Sequence, residues 1–247
     1  MHILDLNGDV VPYGKVHKTR YADFGDGTMP SWLETAIRDA VPSTNVEVVG
    51  GGTTFEPFPD RGTVQVTSPI TNSSWAEIRT TFKIDPTKVT AIKWTLEAFQ
   101  LAGNTWQSAQ MGIKADDNMS GITFLQQAVS GQGGIIQIYR PAAQGGNIQR
   151  PVKMALFTLG LAGDEGQNRK NLSIVLLTGK QYAADAERQF VLIMNGDQVG
   201  AYEEITGLLQ PGQYRCIARV NTNASGMPTD QPRYIKAAAA RVEIWSN

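Results

Sequence analysis

The sequence predicts an all-β protein, built as one antiparallel β-sandwich of about a dozen strands with one short helix. Three observations carry this prediction. Apolar and polar residues alternate with a period of two along many short runs, Gly and Pro residues separate these runs, and stretches with helical spacing are scarce. The 247 residues, 41% of them hydrophobic, suffice for a sizeable core, and the composition does not change between one part of the chain and another.

The strands are predicted from this alternation. In residues 76–85, Ile78 and Ile84 fall on one face of a strand, and most of the charged residues of that run fall on the other. Residues 92–98 alternate in the same way, and the short link between the two runs predicts an antiparallel pair. Further strands are predicted at residues 46–49, 62–67, 122–127, 135–139, 152–159, 172–178, 189–195, 198–203, 212–220 and 233–245.

Two Asn-Gly pairs predict β-hairpins, because both residues tolerate the positive φ angles of a type I′ turn. One pair, Asn195-Gly196, separates two apolar runs, and the pair at residues 7–8 separates two shorter ones. The second hairpin would stand apart from the sandwich. We therefore divide the chain into an N-terminal attachment arm at residues 1–27 and a sandwich domain at residues 28–247.

The one short helix is predicted at residues 31–37. Ser31 and Glu34 have the spacing of a capping box, and Trp32 starts an apolar repeat of helical spacing that ends before Pro42. The C-terminal segment is predicted as a strand, since the residues on both sides of its short alanine run favour strand structure.

Charge and hydropathy exclude several classes of partner. Lys and Arg total 22, Asp and Glu total 23, and the positive residues form no run, so no nucleic-acid surface is predicted. The longest apolar stretches, 172–177 and 190–194, are far shorter than the roughly 20 residues of a membrane-spanning helix, so no membrane insertion is expected. The N terminus has no signal-peptide pattern, which predicts synthesis in the cytoplasm.

Few residues are present that could build a catalytic or metal centre. Cys216 is the single cysteine and is predicted to lie in the core, and the two histidines, His2 and His17, both fall in the N-terminal arm. No cofactor is predicted. The sequence contains no Gly-x-Ser-x-Gly motif and no alternating carboxylate motif of a sandwich glycosidase, so we predict that the protein is not an enzyme. A carboxylate pair built from distant segments remains as an alternative.

Five residues are candidates for ligand binding. Trp75 and Trp106 are predicted in polar loops, where an exposed indole ring packs or binds a ligand such as a sugar. Asp116, Asp117 and Asn118 form a polar turn. Trp94, in contrast, alternates with polar residues along a strand and is predicted to belong to the core.

The same turn imitates part of a calcium loop. Asp116, Asn118 and Ser120 alternate before Gly121, as oxygen ligands do in such loops. The twelfth position is Gln127 rather than the bidentate glutamate, so a polar turn without metal is favoured and a calcium site is the alternative.

Two segments resemble known proteins. Residues 23–33, Asp-Phe-Gly-Asp-Gly-Thr-Met-Pro-Ser-Trp-Leu, resemble the opening of minor tail proteins of bacteriophages that infect actinobacteria. Residues 190–202 are similar to a hairpin of concanavalin A-like or laminin G-like jelly rolls, a similarity that can extend over residues 30–247.

The resemblance implies a jelly-roll sandwich and a non-enzymatic structural protein of a virion, located in a tail or capsid appendage. The partners it implies are other virion proteins, further copies of this chain in a homo-oligomer, and glycans of the host surface. The alternatives are a free-standing carbohydrate-binding module or a glycoside hydrolase of sandwich fold.

Overall fold

A computed structural model shows that the chain is nearly all β, as the sequence predicts. The structure describes residues 2–4, 10–12, 16–38, 46–49, 63–67, 75–102, 108–116, 120–127, 134–152, 170–178, 188–196, 198–221 and 234–246. The strands of these ranges are β1 (His2–Leu4), β2 (Val10–Pro12), β3 (Val16–Asp23), β4 (Leu33–Arg38), β5 (Val46–Val49), β6 (Thr63–Thr67), β7 (Trp75–Thr80), β8 (Ala91–Ala102), β9 (Ser108–Ala115), β10 (Gly121–Gln127), β11 (Gly134–Tyr139), β12 (Ile148–Val152), β13 (Lys170–Leu177), β14 (Phe190–Asn195), β15 (Gln198–Glu204), β16 (Tyr214–Asn221), β17 (Tyr234–Ala237) and β18 (Ala239–Trp245).

Helices are short in this structure. Within the described ranges, Pro86–Lys88 and Ala142–Gln144 each form one turn of 3-10 helix. Asp85 caps the first of them, because its carboxylate accepts a hydrogen bond from the Thr87 amide at 3.1 Å. The described part of the chain has no helix of the length and apolarity that crossing a bilayer requires.

Two antiparallel sheets form the jelly-roll sandwich. The seven-stranded sheet has the order β12-β11-β10-β9-β16-β7-β4. The nine-stranded sheet has the order β15-β14-β13-β8-β17-β6-β5, and β18 joins it by pairing with β8 and with β3. Strands distant in sequence pair with each other, as β16 does with β7 and with β9, so the sandwich depends on long-range contacts.

The core lies between the inner faces of the two sheets. Trp94 is fully buried there, as predicted, and its indole nitrogen donates a hydrogen bond to the Ile217 carbonyl of the opposite sheet at 2.9 Å. Cys216 is also buried, as predicted, and burial raises the pKa of its thiol. Other core side chains come from both sheets and include Ile78, Ile113, Phe124, Ile138, Ile174, Val191 and Val242.

The predicted helix at residues 31–37 is wrong. Residues from Leu33 onward form β4, which pairs with β7 at the edge of the seven-stranded sheet. Leu33 is buried, and the Glu34 side chain binds Arg79 across the strands at 2.7 Å instead of closing a capping box. Pairing with a sheet edge therefore overrides the helical spacing of this short segment.

Both predicted hairpins are confirmed, and one has a shifted turn. The N-terminal hairpin is the pair β1–β2. In the hairpin β14–β15, Asn195 pairs with Gln198, so Asn195 belongs to the strand and the turn begins after it. Gly196 supplies the positive φ angle, 61°, which costs glycine little.

Part of the segment assigned to the N-terminal arm lies in the sandwich. The strand β3 pairs along its length with β18, from Val16 opposite Trp245 to Asp23 opposite Ala239. Residues 16–23 are thus held by the nine-stranded sheet, while the hairpin β1–β2 forms a sheet of its own among the described residues. That the hairpin attaches the chain to an assembly stays a prediction.

Candidate functional site

The outer face of the seven-stranded sheet carries a dense set of polar and charged side chains. Alternation along each strand turns these residues away from the core, and the register aligns them in rows across β7, β16, β9, β10 and β11. We call this surface the polar face; its residues are Glu34, Trp75, Glu77, Arg79, Gln110, Gly112, Lys114, Gly121, Thr123, Gln137, Tyr139, Arg215, Ile217 and Arg219.

A buried ion pair lies at the centre of the polar face. Arg219 pairs with Glu77 across β16 and β7, and both its Nε and one terminal nitrogen lie 2.7 Å from Glu77 Oε2. The side chains are only 6% and 2% exposed. Because both charges are removed from water, loss of either one would leave the other without compensation.

A chain of more exposed ion pairs extends from this centre. The Arg79 Nε atom lies 2.7 Å from Glu34 Oε1, and an Arg79 terminal nitrogen lies 3.6 Å from Glu77 Oε1. Arg215 contacts Glu34 at 3.4 Å and Asp116 at 2.8 Å, and it donates hydrogen bonds to the carbonyls of residues 80 and 81. These contacts hold the guanidinium groups in fixed orientations on β7 and β16.

Two aromatic rings of the polar face lie against cations. The Arg219 guanidinium lies 3.9 Å from the centre of the Trp75 ring, and the Lys114 ammonium lies 3.9 Å from that of Tyr139. Lys114 reaches Tyr139 across Gly121, which has no side chain in between. The rings and cations therefore hold each other in place.

The Tyr139 hydroxyl belongs to a second buried polar group. It donates a hydrogen bond to Gln137 Oε1 at 2.9 Å. Burial raises the pKa of this hydroxyl, against smaller lowering effects from the neighbouring Thr123 and Gln110 side chains and from the Arg219 charge. The group is thus an un-ionised phenol that can donate and accept hydrogen bonds.

Two buried polar atoms of this group make no hydrogen bond of normal geometry, although both side chains lie close enough to the Tyr139 hydroxyl to lower its pKa. These atoms are the Gln110 side-chain oxygen and the Thr123 hydroxyl, in residues that are 6% and 0% exposed. A buried acceptor or hydroxyl without a partner is costly, so such atoms are rare unless a ligand or a water binds them.

The polar face has no side chain at Gly112. This glycine lies between Ile217 on one neighbouring strand and Thr123 on the other. A Cβ atom at this position would lie 2.2 Å from the Ile122 carbonyl oxygen, so β9 and β10 approach too closely for any side chain. Gly112 therefore leaves the centre of the face without a side chain, and both Gly112 and the neighbouring Thr123 and Ile217 are buried.

A charged depression lies beside Gly112. Its volume is about 210 Å³ when the space open to solvent is included. Its enclosed part holds little more than one water molecule. The residues that line it are Glu77, Arg79, Lys114, Ala115, Asp116, Arg215, Ile217 and Arg219. The enclosed space is too small for a sugar ring, so a ligand would reach the depression only through a single small group.

The structure brings two of the predicted site residues to this region. Trp75 is half-buried at the start of β7, on the polar face rather than in a loop, and Asp116 lies at the rim of the depression. The other three predicted ligand residues, Trp106, Asp117 and Asn118, lie outside the described residues.

Two cationic neighbours stabilise the negative charge of the Asp116 carboxylate. One carboxylate oxygen lies 2.6 Å from Lys83 Nζ and the other lies 2.8 Å from Arg215 Nε. Burial raises the pKa of Asp116, but the hydrogen bonds and charges of Lys83 and Arg215 outweigh it and lower the pKa overall. Two bound cations disfavour a calcium ion at the same carboxylate. The calcium alternative also needs Asn118, so it stays a prediction.

The sequence analysis did not identify the main residues of the polar face. Glu77 and Arg219 are 142 positions apart, and nothing in the sequence pairs them. The available signal was an excess of charged residues at alternate positions of predicted strands, as in the Glu77 and Arg79 positions of β7.

Comparisons with known proteins agree with this architecture. No protein-family model matches the chain, and no curated protein matches it in sequence. A glycoside hydrolase family 16 endo-glucanase from Bacteroides ovatus has a similar structure, with a TM-score of 0.56, 10% identity, and coverage of 90% of this chain and 99% of that chain.

Two further solved structures are similar over most of their length. The endo-β-1,4-glucuronan lyase of the fungus Trichoderma reesei has a TM-score of 0.56 at 13% identity, covering 92% of this chain and 95% of that chain. The carbohydrate recognition domain of Emp47p has a TM-score of 0.54 at 10% identity, covering 90% and 93%. At this identity the likeness establishes the fold alone: a concanavalin A-like jelly roll of the kind found in lectin and glycoside hydrolase domains.

The prediction that the protein is not an enzyme is wrong, because the fold does not exclude catalysis. It rested on the absence of a local carboxylate motif. The glucanase and the lyase are enzymes that share the sandwich over at least nine-tenths of this chain, so the fold is compatible with catalysis.

Proposed function

We propose that the protein binds carbohydrate on the polar face of the seven-stranded sheet. The observation that carries this proposal is the pair of buried polar atoms, Gln110 Oε1 and Thr123 Oγ1, that make no hydrogen bond of normal geometry and lie on the strands that meet at Gly112. Sugar hydroxyls donate and accept hydrogen bonds, and so can satisfy both atoms.

The chemistry around these atoms also suits a sugar. Trp75 and Tyr139 supply aromatic surface, while Gln137 and the guanidinium groups supply directional hydrogen bonds. Lectin and glycoside hydrolase domains with the same fold agree with the proposal without specifying the ligand.

Calorimetric titration with oligosaccharides of defined linkage tests the proposal, with Thr123→Val as the informative variant. Valine keeps the shape of threonine and removes the hydroxyl, so we expect weaker binding by about five-fold to ten-fold with little loss of stability. Thr95→Val is the matched control: Thr95 is buried in the nine-stranded sheet, and its hydroxyl contacts Ser173 at 2.8 Å. Equal affinity of the wild type and the Thr123 variant for every bound saccharide would contradict the proposed site.

Hydrolysis of the bound saccharide is a second candidate function, and one observation favours it. Glu34 and Glu77 lie on neighbouring strands, and Arg79 contacts both carboxylates. Glycoside hydrolysis uses two carboxylates at one glycosidic bond. We expect reducing ends to be released by the wild type and not by Glu34→Gln, with binding retained in the variant. If the wild type releases none from saccharides that it binds, this second function is removed and the first stands.

Membership of a virion is a separate proposal that rests on the resemblance of residues 23–33 alone. In it, the hairpin β1–β2 joins other virion proteins or further copies of this chain, and the sandwich meets host glycans. Light scattering on the full chain and on a chain beginning at Val16, which keeps β3, tests the assembly part. A larger particle for the full chain only would support it, and identical monomers would contradict it.

A further inference from the structure

We infer that two edge strands of the nine-stranded sheet, β3 and β15, form a pairing surface for a second copy of this chain. In this contact β3 of one copy lies antiparallel to β15 of the next, so the sheet continues from one copy into the other. Among the described residues, β3 pairs with β18 alone and β15 with β14 alone, which leaves one edge of each strand open. The contact uses neither the polar face nor the hairpin β1–β2, so it goes beyond the function proposed above.

The directions of the two strands fit this contact. The strands lie side by side in the order β3, β18, β8, β13, β14 and β15, and all five of these pairings are antiparallel. Because the number of antiparallel pairings is odd, β3 and β15 run in opposite directions. A second copy displaced along the sheet in the same orientation therefore places its β3 antiparallel to β15 of the first.

Both edges expose apolar side chains. The large hydrophobic residues that are exposed in the described part of the chain are Tyr21, Val199 and Tyr202, at 44%, 40% and 55%, and all of them lie on β3 or β15. Val199 and Tyr202 stand opposite the buried Met194 and Leu192, so apolar surface continues from the outward face of the sheet to its edge. An exposed edge strand with apolar side chains is a template for pairing with another chain.

The backbone groups of the two edges can form a regular ladder. The Phe24 amide donates to the carbonyl directly before β18 at 3.1 Å, and the Ile205 amide donates to the carbonyl directly before β14 at 2.8 Å. Both amides therefore point into their own sheet. Since this direction alternates along a strand, the N–H and C=O groups of Tyr21 and Tyr202 point out of it. Placing these two residues opposite each other makes them a hydrogen-bonded pair of the new ladder.

This register also matches the neighbouring side chains. It places Arg20 opposite Glu203 and Ala22 opposite Ala201, and all four lie on the inner side of the sheet. Opposite charges that face each other across two strands stabilise the pairing. Glu203 already contacts Arg150 at 3.0 Å, but its side chain is 33% exposed, and a carboxylate with two oxygens has room for a second guanidinium.

The two matching edges belong to one chain, so the partner that they fit is another copy of this chain. The contact joins two different surfaces and leaves an open edge at each end of an assembled pair. Such a head-to-tail contact builds rings or open filaments rather than closed dimers.

Sedimentation of the full chain over a range of concentrations tests the inference with two charge reversals, Arg20→Glu and Glu203→Arg. We expect the average mass of the wild type to rise with concentration beyond that of two chains. Each variant sets like charges opposite each other, so we expect it to need about ten-fold higher concentration for the same average mass. An equimolar mixture of the two variants restores opposite charges at every contact between unlike chains, and should assemble as the wild type does.

The control for net charge is Lys88→Glu, which makes the same change of charge at an exposed lysine on neither edge. It should assemble as the wild type does, and circular dichroism should show that all variants are folded. A wild type of single-chain mass at every concentration overturns the inference. So do an equal loss of assembly in the Lys88 variant and a mixture that assembles no better than its components. Pairing of β3 with β3, or of β15 with β15, would leave one of the two edge variants unaffected and would also overturn it.

Discussion

The outward faces of the two sheets are both buried, but they carry different kinds of side chain. The outward face of the nine-stranded sheet carries an apolar cluster beside polar residues such as Lys93 and Thr95; the cluster is formed by Ala91, Val175, Leu177, Leu192, Met194 and Trp245. The seven-stranded sheet presents the polar face, where charged side chains such as Glu77 and Arg219 are buried almost as fully. Alternation along strands creates both outward faces, and the choice of residues on them differs.

This difference indicates that the outward faces of the two sheets have different roles. An apolar cluster gains free energy from burial without any ligand. Buried charges gain little or nothing over apolar residues of equal size, so their presence is weakly explained by stability. On the outward face of the nine-stranded sheet, Thr95 and Ser173 bond to each other and Arg241 Nε has no hydrogen-bond partner. On the polar face, Gln110 Oε1 and Thr123 Oγ1 make no hydrogen bond of normal geometry. The polar face is therefore the one to which we assign the proposed ligand binding.

The largest effect is expected from breaking the central ion pair. Glu77→Gln keeps the shape of the side chain but leaves Arg219 buried without its counter-charge, which should lower the free energy of unfolding by about 4 kcal/mol. Urea denaturation near neutral pH measures this. Adding Arg219→Met to the variant should restore most of the loss, and a double variant no more stable than the single one would contradict the assignment.

The apolar face should affect stability alone. Leu192→Ala removes a side chain that is 7% exposed, so we expect a loss of about 3 kcal/mol in urea denaturation. Saccharide affinity at a temperature where the variant is folded should stay within about two-fold of the wild type. A large loss of affinity in the folded variant would contradict the assignment of binding to the polar face alone.

A methyl group at the floor of the polar face should affect binding and stability together. In Gly112→Ala the new Cβ meets the Ile122 carbonyl at 2.2 Å and Thr123 Cα at 2.7 Å, so the backbone must shift, and we expect a stability loss of about 2 kcal/mol. Titration should show weaker saccharide binding. Gly207→Ala is a control without such contacts, although its φ of 71° also costs stability; it should leave binding unchanged.

The smallest effect is expected at the exposed rim of the same face. The pKa of Asp116 is lowered in the folded protein, so its carboxylate stabilises the fold above its unfolded pKa, and that contribution disappears as pH falls through the folded value. The side chain is 43% exposed and solvent screens its ion pairs, so Asp116→Asn should cost less than about 1 kcal/mol near neutral pH. Denaturation series at neutral and acidic pH measure this, and a difference that grows on acidification would contradict the assignment.

Much of the fold could be predicted from local pattern, but the predicted antiparallel pair of residues 76–85 and 92–98 is wrong, because β7 and β8 lie in different sheets. The β14–β15 hairpin was visible because Gly196 and the apolar runs around it act over a few residues. The strands β4 and β9 were missed for different reasons. The residues of β4 have the apolar spacing of a helix, and pairing with the edge strand β7 makes them a strand. The strand β9 carries Gly112 and Lys114, which are unfavourable in isolated strands but fit the close approach to β10.

Less of the site could be predicted, because its residues meet only through long-range register. Trp75 was predicted as a candidate ligand residue, and the structure places it on the polar face beside Arg219. The depression itself combines residues of β7, β9 and β16, and no local spacing relates them. Buried charges are also the opposite of what alternation suggests, since a charged residue on an outward strand position is expected to be solvated.

The most direct test of the account is an NMR titration of the full chain with the tightest-binding oligosaccharide. We expect chemical-shift changes concentrated on the polar face, at the Trp75 indole, the Gln110 side-chain amide and the backbone around Thr123. Changes concentrated around Thr95, Ser173 and Trp245 on the nine-stranded sheet would contradict it, because the ligand would then bind the face that we assign to packing.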